Sequence, residues 1–135
     1  MAIFLSNGVV AVLNSVDLSD HLTSATINRV FDELEDTAMG DTAHKFVKGL
    51  EASTITLDFL NDTAAGEVLA TLQAAWGTTV ALTLKQTSAA TSATNPLYST
   101  TVLINNTTDI NGAVGDISSQ SLSLTCNSPI VITTS

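Results

Sequence analysis

Positive charge is scarce in this chain. Four cationic side chains, Arg29, Lys45, Lys48 and Lys85, stand against 13 carboxylates in 135 residues, for a net charge of −9. Proteins that bind nucleic acid directly neutralise phosphates with lysine and arginine. Four scattered cations are too few for that, and an acidic surface repels a polyanion. Cys126 is the sole cysteine, so no intrachain disulfide can form and the composition does not suggest a disulfide-stapled secreted domain. Long apolar runs are also missing. No unbroken run exceeds the five residues of 9–13, far short of the roughly 20 residues that cross a bilayer. Residues 1–10 lack the basic start of a signal peptide. A soluble protein made in a cytoplasm, without membrane anchor, is expected.

Charged residues of both signs make up 13 % of the chain, about half the usual share of roughly 25 %. Hydroxyls take their place: 21 Thr and 14 Ser. Threonine is β-branched and suits a half-buried pleated surface. A freely soluble monomer usually carries more charge, so low charge with abundant Ser, Thr and Ala suits a surface covered by copies of itself. The length favours one domain, residues 1–135, large enough to bury a core.

Hydropathy patterning is mainly that of strands. Apolar runs at 3–5 and 9–13 flank Asn7-Gly8, a hairpin signal because both turn positions tolerate positive φ. A polar connector is expected at 16–21 and a strand at 22–32. Residues 33–49 break the alternation, with Glu33, Glu35, Asp36 and Asp41, then Lys45 and Lys48, between glycine breakers. They read as a long loop, which needs a function inside a compact domain. The clearest strand is 51–60, where Ser53, Ile55, Leu57 and Phe59 alternate with polar residues. Residues 62–76 switch to the helical period, with Val68, Leu69, Leu72, Ala75 and Trp76 on one stripe. Asn61, Asp62 and Thr63 offer N-cap oxygens and Gly77 a left-handed stop. Further strands are expected at 78–86, 97–106, 120–127 and 130–133. Six to eight strands with one helix, about 62–76, predict a mainly β fold, a β-sandwich or partly closed barrel with a flanking helix.

Catalytic and metal motifs are weak. His21 and His44 sit in no nucleophile-elbow pattern. Residues 40–45 contain Gly and Lys but not the phosphate-loop spacing. Asp109, Asn111, Gly112 and Asp116 lack the spacing and terminal Glu of a calcium loop. Cys126 follows Leu122 and Leu124 as a small apolar residue. No catalytic residue, metal or cofactor is assigned. The one unusual feature is that seven of the 13 acids fall within residues 17–41, either as a solvated acidic loop or as an interface.

Three stretches carry a family resemblance: residues 16–21 (Val-Asp-Leu-Ser-Asp-His), 26–29 (Thr-Ile-Asn-Arg) and 40–50 (Gly-Asp-Thr-Ala-His-Lys-Phe-Val-Lys-Gly-Leu). With 51–60 and the Asn-Asp-Thr-Ala-Ala-Gly after it, Gly77-Thr78-Thr79-Val80, and the Ser/Thr/Ala run to Pro96, the chain resembles the major tail tube proteins of long-tailed, siphovirus-like bacteriophages, actinobacteriophage type. The resemblance covers about residues 16–100 and more loosely the rest. It implies a non-enzymatic virion subunit, assembled in the host cytoplasm into six-membered rings that stack as a tube. Partners would be further copies, a tail terminator, and tape-measure and baseplate proteins. DNA would pass during ejection without specific binding. Larger relatives carry an appended immunoglobulin-like domain, and none is expected here. The resemblance implies that the 33–50 loop reaches the next ring, through Glu33, Glu35, Asp36, Asp41, His44, Lys45, Phe46 and Lys48. Asp32, Thr54, Thr56 and Asp58 are candidates for the lumen wall. Six copies at −9 each would carry −54 per ring, repelling DNA over about 8 Å at physiological salt. A capsid decoration or tail-completion subunit, or a pilus or adhesin module, are the alternatives.

Overall fold

The computed structural model describes residues 8–135. The first half of the expected 3–13 hairpin lies outside them; its second half is strand β1, Val10–Leu13. β1 returns through a two-residue turn to β2, Val16–Asp17. The turn residues Asn14 and Ser15 have φ of 51° and 66°, the backbone that such tight hairpins require. A 3-10 turn at Ser19–His21 then leads into β3, Leu22–Asn28. Strands β4 (Phe31–Glu35) and β5 (Phe46–Glu51) come next, then β6 (Thr54–Leu60) and helix α1 (Val68–Ala75). The chain ends with β7 (Thr79–Lys85), β8 (Leu97–Leu103), β9 (Ser119–Thr125) and β10 (Val131–Thr133).

Among the described residues the fold is mainly β, with ten strands in open antiparallel sheets, one helix and no closed barrel. One sheet runs β10-β8-β7-β1-β2 and a second runs β3-β6-β9. Alternation supplies the apolar inner faces: Leu13, Leu82, Leu84 and Val102 from the first, Ile55, Leu57, Phe59, Leu122 and Leu124 from the second. They form one core, as in a sandwich. Helix α1 links the two sheets and adds Val68, Leu72 and Ala75 to that core. No helix among the described residues is long and apolar enough to cross a membrane.

Three expectations need correction. Residues 33–49 are not a loop: β4 and β5 pair as a two-stranded ribbon, and only 36–45 lies outside strands. Pairing across the ribbon (Glu33 with Lys48, Leu34 with Val47) holds an extended structure that single-strand alternation does not reveal. Equally, 22–32 is two strands with a break at Arg29–Val30. There the Ala52 amide donates to the Val30 carbonyl at 2.6 Å and the Val30 amide donates to Ser53 Oγ.

The helix starts six residues later than the pattern suggests. Gly66 holds φ at +79°, which no helix continues. Asp62 Oδ1 instead accepts from the Ala64 amide at 2.9 Å in a local turn. Trp76, expected in the core, is 55 % exposed. It is the first residue past α1, with φ −52° and ψ 126°, so it leaves the apolar stripe.

Candidate functional site

The ribbon is the distal half of one long hairpin whose proximal half is the β3–β6 pair. It packs little against the other described residues. Every residue of β4 is exposed, and in β5 only Gly49 and Glu51 are partly covered. Phe31, Leu34, Phe46 and Val47 are large, apolar and about half exposed, and Leu50 is 82 % exposed.

Strand geometry gives the ribbon two different faces. Phe31, Glu33 and Glu35 share one face with Phe46 and Lys48, and the Lys48 ammonium sits 5.6 Å over the Phe31 ring. His44 Nδ1 contacts Glu35 Oε2, which also accepts from the Thr37 hydroxyl. These bonds, His44 first, hold the Glu35 carboxyl below its ordinary range. Asp32, Leu34 and Val47 occupy the other face. Close approach there needs Gly49: a Cβ at this position would lie 2.9 Å from the Asp32 carbonyl oxygen and 3.2 Å from Leu34 Cγ.

At the tip, Asp41 Oδ2 accepts from the Ala38 amide at 2.7 Å and lies 3.4 Å from Lys45 Nζ. Gly40, at φ +92°, closes the turn and leaves Met39 fully exposed. All eight residues expected at the inter-ring contact (Glu33, Glu35, Asp36, Asp41, His44, Lys45, Phe46 and Lys48) therefore lie on the ribbon or its tip.

The wall candidates divide. Thr54, Thr56 and Asp58 lie on the face of β6 turned from the core, whereas Asp32 lies on the ribbon. Register builds three rungs across the small sheet: Ser24–Asp58–Ser121, Thr26–Thr56–Ser123 and Asn28–Thr54–Thr125. Each position is polar, and Asp58 is the lone charge at the centre of its rung. Its Oδ1 is buried with no hydrogen-bond partner among the described residues. The Ser and Thr positions of β3 and β9 were not singled out in the sequence, because register between strands is invisible in one strand's alternation.

A third cluster surrounds His21. Its Nδ1 lies 2.8 Å from Asp20 Oδ1 and 3.3 Å from Glu67 Oε2, while Nε2 lies 2.9 Å from Asp62 Oδ2. Asp20, His21 and Glu67 place donor atoms within 4.8 Å of one another, close enough to hold a cation. A protonated imidazole satisfies the same oxygens, and the bond to Asp20, with help from Asp62 and Glu67, raises the His21 pKa against its partial burial. The 109–116 segment forms no comparable cluster; Thr107 Oγ1 donates to Asp109 and Asn111 Nδ2 to the Ser119 carbonyl.

Comparison with protein-family models and with curated proteins gives no match.

Proposed function

We propose that this chain is a structural subunit of a bacteriophage tail tube, built to be buried against copies of itself. The ribbon β4–β5 carries the reading. It extends from the sandwich as a two-stranded arm with Phe31, Leu34, Phe46, Val47 and Leu50 uncovered. An apolar patch of this kind marks an interaction surface, and burying it would contribute roughly 25 cal/mol per Å². The resemblance of 16–100 to tail tube proteins supplies the kind of partner: the next ring of the same protein.

The polar face of β3-β6-β9 supports a second part of the reading. Nine hydroxyl, amide or carboxylate side chains stand in three rungs with no cation among them. Such a face is wettable and weakly anionic, as a channel for DNA requires. The outer edges of β3 and β9 lie at the ends of their sheet, and unpaired edges invite pairing with another chain.

Electron microscopy of the purified protein over a concentration series tests this. Hollow tubes of uniform width, or six-fold rings, are the expected outcome. Discrete trimers that never polymerise would favour a capsid decoration subunit. Monomers at every concentration, even when seeded with tail-tip complexes, would overturn the proposal.

A further inference from the structure

A groove of about 340 Å³ opens between the sheets at the base of the ribbon. Ala25 and Ile27 of β3 and Leu84 of β7 give it apolar walls, and Arg29, Lys85 and Tyr98 are at its polar side. Two of the four cations of a strongly acidic chain thus line one groove; the other two, Lys45 and Lys48, are on or beside the ribbon. Among the described residues neither Arg29 nor Lys85 forms an ion pair. The Lys85 ammonium donates to the Ala89 carbonyl.

The tip of the ribbon has the complementary chemistry. Met39 is fully exposed, held outward on a turn closed at both ends by Ala38 and Asp41. Asp36 and Asp41 flank it, Asp41 lying 3.4 Å from Lys45 Nζ on the same tip. Methionine is unbranched and fills irregular apolar gaps, and carboxylates beside it match a cationic rim. A chain cannot seat its own tip, because β4 alone carries the tip roughly 17 Å from Arg29 at 3.3 Å per residue.

We propose that the Arg29–Lys85 groove receives the Met39 tip of a second copy, with Asp36 and Asp41 facing the two cations. The inference rests on the self-assembly reading and locates its receptor. Knob and groove are different surfaces of one chain, so the contact is head-to-tail and propagates.

Cysteine trapping tests it. In a Cys126→Ala background, Met39→Cys protein is mixed with Gln86→Cys protein, whose cysteine stands on the groove lining, and oxidised with diamide. A mixed disulfide dimer is expected. Adding Arg29→Glu and Lys85→Glu to the groove partner should reduce it at least tenfold. Asp36→Lys with Asp41→Lys on the tip partner should restore it. Trapping captures transient encounters, so a protein that stays monomeric still gives an answer. No mixed dimer, or a yield unchanged by charge reversal, overturns the inference, and tubes seen alongside would leave the assembly reading standing. A dimer that forms only when residues 1–7 are deleted would make that segment the occupant and also overturn it. Mixed dimers without tubes or rings would keep the contact and sink the tube.

Discussion

His21 Nε2 lies 2.9 Å from Asp62 Oδ2, which ties the 3-10 turn ahead of β3 to the segment that leads into α1. The two residues are 41 positions apart, and the link joins the two ends of the β3–β6 hairpin. Its strength depends on charge. The bond to Asp20, then Asp62 and Glu67, raises the His21 pKa above its ordinary 6.5. That contribution is fully present below about pH 6.5 and is lost as pH rises through the folded value. Asp62 is lowered from 3.8, first by the Ala64 amide and then by His21. Its contribution is present above that ordinary value and is lost as pH falls through the lowered one. The cluster therefore stabilises most between about pH 4 and 6.5. The melting temperature should decline from pH 6 to 8, and His21→Gln should flatten that decline. Equal slopes in wild type and variant would refute the assignment.

Gly49→Val tests whether the ribbon is separable from the sandwich. The new side chain meets the Asp32 carbonyl and Leu34 at distances that backbone cannot absorb without moving. Since β4 and β5 are exposed along nearly their whole length, the melting temperature should fall by no more than about 4 °C, the equivalent of roughly 1 kcal/mol. Assembly should be lost at concentrations where wild type polymerises. Unimpaired tubes would show that the ribbon geometry is not used.

Gln120 is 4 % exposed and joins two segments. Its Oε1 accepts from the Thr108 amide at 3.0 Å and its Nε2 donates to Asn61 Oδ1 at 2.8 Å. Asn61 Nδ2 in turn donates to Ser118 Oγ. Oε1 of Gln120 also accepts from Thr107 Oγ1 at 3.4 Å, and Gln120→Leu keeps the volume while removing all three bonds. Leaving buried partners unsatisfied costs about 1–3 kcal/mol, to be read as a lower urea midpoint at unchanged m-value. A midpoint equal to wild type would mean that water replaces the amide.

Much of the sandwich was legible in the chain because strand alternation is a local signal. Ile55, Leu57 and Phe59, then Val80, Leu82 and Leu84, then Leu122 and Leu124, are buried as their spacing indicates. The ribbon was not. Its stabilising pairs, Glu33 with Lys48 and Leu34 with Val47, are cross-strand and 13 to 15 residues apart. Its acids resemble a solvated loop when read along one strand. Glycine is a weak helical residue, but the positive φ of Gly66, which delays α1 to Val68, accompanies the turn around Asp62 and is not encoded in the helical spacing. The Arg29–Lys85 groove depends on how β3 and β7 face each other, which no single segment encodes.

Asp58 stands on the middle strand of the polar face, in an end rung, with one oxygen buried and without a hydrogen-bond partner among the described residues. Holding a carboxylate this way is unfavourable for folding, since a buried charged acceptor without a partner loses its hydration. Asp58→Asn should therefore leave the protein as stable or raise its unfolding free energy by about 1 kcal/mol, measured in urea. A loss of stability would mean that the charge has a folding role through Ser24 or Ser121, its neighbours across the rung. In the tube reading the charge instead keeps DNA off the wall, over about 8 Å at physiological salt. Phage carrying Asp58→Lys should then assemble tails of normal length and eject their genomes more slowly, with the difference shrinking as salt rises. Ejection at the wild-type rate from intact tails would show that Asp58 does not face the passing DNA, and would move the lumen to another face of the sandwich.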